Sequence, residues 1–315
     1  MNRRYFFFGA LSTMAVSCKK SVRETSATVS IIKAASYSLE LTSLIKNILL
    51  EHRVDVTGKS VVLKPNLVEF NPDAPINTNP VFVAAVSEAF HSLGAASVSI
   101  AEGPGHRRMT LDMAEAAGFF SAVPRFESRF TDLNLDEVTR IDIKHPFSTL
   151  SSLYLPHTAL AADLLVSLPK MKTHHWAGAT LSMKNLFGVV PGGVYGWPKN
   201  VLHWAGIDES VADLQPIFPN QFCLVDGIEA MEGNGPILGT RKHMGLIIAG
   251  SHPPSVDAAC CQIMKIDPKK VRYLTLAAST TRLNIYRAKQ IGEDIHSVSA
   301  KFALHPDLET KYRLS

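Results

Sequence analysis

Ser60-Val61-Val62-Leu63-Lys64-Pro65-Asn66 and Ser97-Val98-Ser99-Ile100-Ala101-Glu102-Gly103 frame the stretch that decides the fold. Each starts as a short β-branched run and ends on polar residues with Pro or Gly, which reads as a strand and its exit. Pro65 has no N–H for a ladder, so the first strand stops there. Between the two runs, Thr78-Asn79-Pro80 offers a capping side chain with proline just inside. Val83, Val86, Phe90 and Leu93 then recur at helical spacing, and Gly94 closes the helix. Strand, helix and strand in this order imply a parallel pair joined by a crossover helix.

The same alternation extends in both directions. Strands are expected over 29–34, 164–168, 222–225 and 244–249, and helices over 39–51 and 181–187. Two more helices are marked by Ile207, Val211 and Leu214, and by Val256, Ala259, Cys260, Ile263 and Met264. The middle is less regular, with short strands over 130–135 and 140–144. The expected fold is α/β, a mostly parallel sheet with helices on both faces in a Rossmann-like layered architecture. Residues 1–27 read as a leader and linker, 28–285 as one α/β domain, and 286–315 as a polar, weakly packed C-terminal tail.

Of the 315 residues, 46% are apolar and 19% charged, enough for a large core. A net charge of +4, with no basic run, gives no support for nucleic acid as a partner. Half of that charge is Arg3 and Arg4, directly before the apolar run that starts at Tyr5. A charged start, a short apolar stretch and small residues describe an export signal, and the paired arginines resemble a twin-arginine leader. Cys18 resembles a lipoprotein processing site. The expected location is therefore exported, either periplasmic or membrane-anchored as a lipoprotein. Membrane contact would come only through the leader or a lipid on Cys18. The other cysteines, Cys223, Cys260 and Cys261, read as buried thiols. No C-x-x-C occurs, so the spacing encodes no iron–sulfur cluster.

The chemistry-bearing residues follow strands. Lys64 and Asn66 follow one, Glu102 another, and Lys170, Lys172, His174 and His175 a third; Asp226 follows a fourth. Ligands of open α/β sheets bind outside the carboxyl ends of the strands. Lys170 and Lys172 lie two apart on extended chain, so they share a face. With Lys64 and Lys184 nearby, the cluster calls for an anion, carboxylate or phosphate, between the ammonium groups. A lysine crowded by cations can also lose its proton and act as a base. Adjacent histidines on extended chain face opposite ways, so one of His174 and His175 is expected in the site. Glu102 has three readings: general base, metal ligand with His174, or ion-pair partner of a lysine. Asp257 sits where it would complement the dipole of its own helix. The glycine-rich loop 188–196 fits no nucleotide cradle and reads as a lid, with Tyr195, Trp197 and Trp204 available to cover a ligand.

Lys64-Pro65-Asn66, Glu102-Gly103, Pro169-Lys170-Met171-Lys172-Thr173-His174, Met183-Lys184-Asn185 with Gly188, and Asp226-Gly227 resemble the ordered motifs of the domain of unknown function 362 family. The resemblance covers about 28–280. It implies an α/β protein, exported or cytoplasmic, and no particular reaction. Some members carry appended ferredoxin-type cysteines, which this sequence lacks.

Three functions follow as expectations. The first is an enzyme acting on a small anionic organic substrate by isomerase- or lyase-type chemistry. Lys170, Lys172 and Lys184 would bind the anion, and Lys64, Asn66, Asn185 and Asp226 would orient it. Glu102, His174 or Lys172 would move a proton. The second is a transition-metal or redox-cofactor protein with a redox partner, the metal on Glu102 and His174 together with His106, His203 or Asp226. The third is a lipid-anchored small-molecule binding protein.

Overall fold

The computed structural model describes residues 26–38, 40–105 and 109–313. Arg3, Arg4, Cys18 and His106 lie outside the described residues. The strands are β1 (Thr28–Lys33), β2 (Ser60–Pro65), β3 (Ser97–Glu102), β4 (Phe130–Asp132), β5 (Val138–Asp142) and β6 (Ser152–Pro156). They continue with β7 (Leu164–Leu168), β8 (Lys170–His174), β9 (Gly178–Thr180), β10 (Gln221–Asn234), β11 (Leu238–Gly250) and β12 (Lys289–Gly292).

The main sheet runs β12-β1-β11-β10-β7-β2-β3-β4, with β8 on β10 and β9 on β8. From β10 through β7, β2 and β3 to β4 every pairing is parallel. From β2 the chain moves outward to β3 and β4, then returns to place β7 on the other side of β2. The strand order therefore reverses between β2 and β7, and the carboxyl ends of these strands flank a crevice.

Side-chain alternation covers both faces. Val61, Leu63, Val166 and Leu168 join the core under the helices Leu41–Glu51 and Pro80–Ser92, with Ile45, Phe82 and Phe90. Val62, Leu165, Cys223 and Val225 face the opposite way, into a second core with Val211, Ala259 and Ile263 from helices Ile207–Leu214 and Pro253–Ile263. Helix Pro80–Ser92 begins as its sequence implies, with the Asn79 side chain accepting from Val81 N at 2.9 Å. Cys223, Cys260 and Cys261 are free and buried, and burial pushes all three thiols up.

Three segments differ from expectation. Residues 221–250 form one long antiparallel hairpin, not two short strands around a loop. Its outer half alternates Glu229 and Glu232 with buried Ala230 and Met231, and a register shift lies between Gly227 and Glu229. The charges and glycines hid the strand. In the middle of the chain, β5 pairs with β6 as a separate two-stranded sheet. The segment after 285 is packed: β12 pairs with β1, and Phe302 and Tyr312 are 0% exposed.

Candidate functional site

A cavity of about 840 Å³ opens at the crevice. Lys172, Lys184 and Lys199 line it, with His174, His175 and His203. β2, β3 and β8 deliver Asn66, Glu102, Lys172 and His174 to the wall from their carboxyl ends, as the strand-end pattern implies. Lys64, Lys170 and Asp226 do not line it. They lie in two buried ion pairs at the same sheet edge, and the number of hydrogen-bond partners around each lysine separates structural groups from available ones.

An ammonium carries three N–H donors. Lys64 Nζ donates to Glu102 Oε2 at 2.6 Å, Pro65 O at 2.9 Å and Asn185 Oδ1 at 3.0 Å. Glu102 also accepts from Leu67 N and Gly103 N, so the last of its three readings, partner of a lysine, is the one the geometry shows. Asn185 is saturated too, its Nδ2 donating to Lys64 O and Ser167 Oγ. Lys64 and Asn185, expected to orient a ligand, hold each other, and Asn185 also lines the cavity. A Cβ on Gly188 would fall 2.5 Å from Lys64 Nζ and closer still to Glu102 Oε1, so the pair leaves room for glycine alone.

Lys170, expected to bind the anion, is likewise engaged. Its Nζ donates to Asp226 Oδ2 at 2.6 Å and Tyr37 Oη at 3.1 Å. Asp226 further accepts from Tyr37 Oη, Asn79 N and Ile228 N, tying β10 to the start of helix Pro80–Ser92. Lys170 and Lys172 do share a strand, but their ammonium groups have separate partners.

Lys172 and Lys184 are different. Lys172 is 0% exposed, and among the described residues its Nζ donates only to Ile76 O at 2.8 Å. Burial and the charges of Lys170 and Lys184 lower it well below the usual lysine range. Lys184 Nζ stands 3.7 Å from the centroid of the Phe187 ring and has no hydrogen bond or ion pair among the described residues. Burial lowers it to about 7, against the attraction of Asp208. Two more cavity atoms, Asn66 Oδ1 and Thr180 Oγ1, are buried without a hydrogen-bond partner among the described residues.

His174 is neutral. Burial and the surrounding cations, Lys184 first, hold it well below the usual histidine range. Trp176 N and Ala177 N both donate to its Nδ1, at 3.1 and 3.3 Å. Its proton therefore sits on Nε2, making it a hydrogen-bond donor rather than a base. His175 reaches the cavity as well, its ring stacked on His174 with centroids 5.1 Å apart. Both enter because β8 ends at His174 and the alternation stops there. Among the described residues no three His, Cys, Asp or Glu side chains are grouped to hold a metal ion.

Lys199 was not singled out in the sequence, and His203 only as a possible metal ligand. Lys199, in a left-handed backbone conformation, donates to Gly103 O, Phe187 O and Gly188 O and so pins the glycine-rich loop over the Glu102 turn. Its burial lowers it to about 7. His203 packs edge-on against Trp176 and Phe187. The only local hint at Lys199 is its place between Pro198 and the Asn200–Trp204 helix. The loop expected to be a lid is tied down further: Asn134 accepts from Gly192 N and Gly193 N, and Tyr195 Oη accepts from Tyr154 N. Tyr195, Trp197 and Trp204 are not among the lining residues. Asp257 serves not its own helix but the neighbouring one, its two oxygens accepting from Ser182 N and Met183 N and so setting the segment that carries Lys184 and Asn185.

Fold and cavity together define an α/β protein with a lysine-lined cavity where the strand order of its sheet reverses. The chain belongs to the family described as Domain of unknown function (DUF362), which matches residues 61–262. A thylakoid-associated protein of Synechocystis is 29% identical over 223 residues, 68% of this chain and 65% of that relative. The chain thus spans just under two thirds of the length of this curated relative. Among solved structures, the lactate racemase apoprotein from Thermoanaerobacterium thermosaccharolyticum aligns with TM-score 0.49 at 14% identity, over 77% of this chain and 58% of that one. A Thermotoga maritima protein aligns with TM-score 0.41 at 12% identity, over 73% and 59%.

Proposed function

We propose that the cavity binds a small organic anion, carboxylate or phosphate, and catalyses proton transfer beside a carbonyl. The observation that carries this is the unequal bonding of the lysines. Among the described residues Lys64 and Lys199 have three acceptors each, whereas Lys172 has one and Lys184 none. The N–H groups left over face a cavity whose Asn66 Oδ1 and Thr180 Oγ1 also lack partners. An anion would accept from the lysines, and a hydroxyl or acid proton on it would satisfy Asn66 and Thr180. Lys184, poised near neutrality, is the proposed base in the fraction of complexes where it is uncharged and Lys172 alone holds the anion, and His174 Nε2–H is the donor to the developing oxyanion. Glu102 holds the lysine array in place and takes no proton itself.

Lys172→Met preserves side-chain length and removes the buried amine that an anion would charge. It is expected to weaken acetate and phosphate binding at least tenfold by calorimetry, while the fold survives by circular dichroism. Unchanged affinity in a folded variant would remove the anion site.

For residues 1–25 the reading rests on sequence alone. We infer export through the arginine-led segment and processing at Cys18. The thylakoid association in the relative's name supports a membrane-proximal setting. No helix among the described residues is long and apolar enough to cross a membrane. Intact mass of the protein from its host is expected to show a chain beginning at Cys18, carrying lipid if anchored. An uncut N-terminus would end this reading.

A further inference from the structure

The lysines explain only the buried part of the cavity. Its wall also includes Pro236, Ile237 and Leu238 from the tip of the β10–β11 hairpin, and Trp176 from the turn after β8. Lys172 is 0% exposed, whereas Trp176 is 58% and Leu238 76% exposed. The cavity therefore runs from a lysine floor to a rim where large apolar side chains stand beside Asn234, His305 and Asp307. Large apolar side chains grouped at the mouth of a cavity mark a surface that something apolar covers.

The rim is built, not loose. Thr173 Oγ1 donates to Gly233 O at 2.9 Å, His175 N donates to Gly235 O at 2.9 Å, and Gly233 N donates to Ala303 O at 2.8 Å. A Cβ on Gly235 would overlap the Thr173 carbonyl, so the hairpin tip fits closely on β8, the strand that carries Lys172 and His174. One short segment thus sets the distance between the charged floor and the apolar rim.

The size agrees. A cavity of about 840 Å³ is far larger than a lone carboxylate or phosphate needs. It lies within the range, about 300–1,000 Å³, of pockets that enclose drug-sized ligands.

We propose that the ligand is an amphipathic organic acid. Its carboxylate or phosphate head lies on Lys172 and Lys184, and its apolar body extends past Phe187 to Trp176, Ile237 and Leu238. This rests on the anion-site reading above and adds the other half of the molecule.

The test is a chain-length series of straight-chain carboxylates from acetate to decanoate, measured by calorimetry on the full chain. Each buried methylene is expected to tighten binding about fourfold. The double variant Trp176→Ser/Leu238→Ser, both positions being exposed, is expected to flatten that slope, with its own acetate affinity as the reference. Equal affinity for acetate and decanoate in the unaltered protein would overturn the amphipathic ligand and leave the anion site standing. A slope that survives in the double variant would overturn the rim. Decanoate bound as tightly by Lys172→Met as by the unaltered protein would overturn both readings. Hexyl phosphate in place of hexanoate reports which head group the floor prefers, and failure of both to outbind acetate counts against the proposal.

Discussion

Glu102→Ala is expected to be the most destabilising single change in the site. It leaves the Lys64 ammonium at 0% exposure with only Pro65 O and Asn185 Oδ1 as acceptors and no counter-charge. Breaking a buried pair from one side costs about 3–5 kcal/mol. The upper limit has a physical origin. Lys64 escapes by giving up its proton, and bringing a group of pKa near 10.4 to neutrality at pH 7 costs about 5 kcal/mol. The reverse change is expected to cost less, because in Lys64→Met the Glu102 carboxylate keeps Leu67 N and Gly103 N as donors. Replacing both, as Lys64→Met with Glu102→Leu, should recover part of the loss. Urea unfolding of the three variants checks the order. A cost below about 1 kcal/mol for Glu102→Ala would contradict the buried pair.

The second large effect is on pH dependence. Lys184 lies near 7 and Lys172 well below its usual range, so in the empty cavity both shed protons that an anion would restore. Binding must then take up protons. Affinity for acetate or phosphate is expected to fall as pH rises above about 7, by up to tenfold per unit for each lysine that has to be charged. Stability of the empty protein should move the opposite way. Lys184 and Lys199, near 7 in the folded state, return to the ordinary lysine range on unfolding. The unfolded chain binds more protons between those limits, so these groups make stability rise with pH above 7. Asp257 works below that point. Burial raises it to about 7 from 3.8, so its folded form holds the extra proton and its contribution is lost as pH rises from about 4 to 7. Lys172, lowered further still, opposes Asp257 below 7, so the net rise of stability with pH is expected above neutrality. Calorimetric binding from pH 6 to 9, repeated in buffers of different ionisation enthalpy, measures the proton uptake. Affinity independent of pH over that range would exclude the lysine mechanism.

The layered fold was legible because local patterns and long-range packing agree. Val61 to Leu63, Asn79-Pro80 and the Val83–Phe90 spacing each specify an element that the sheet accepts unchanged. The outer hairpin was not legible, because Glu229, Glu232 and three glycines mimic a loop while the strand is held by pairing across to Leu238–His243. At the site, strand-end position revealed which residues gather but not how they pair. Lys170 and Asp226 lie 56 positions apart, and Lys64 and Glu102 lie 38 apart. Spacing alone cannot tell a lysine that binds ligand from one that is already neutralised. Lys199 left no periodic trace, since its role depends on a left-handed turn and three carbonyls from distant segments.

The position of β1 has a consequence for how the chain is made. Of the described strands it leaves the ribosome first, yet its neighbours are β11 and β12, from the last third of the sequence. Both its edges wait unpaired through more than two hundred residues of synthesis, and unpaired edges invite association with other chains. The sheet cannot close until residue 292 has emerged. A chain released early would keep a complete βαβ centre and still present an open, sticky margin, so quality control acting on that margin would distinguish finished molecules from truncated ones.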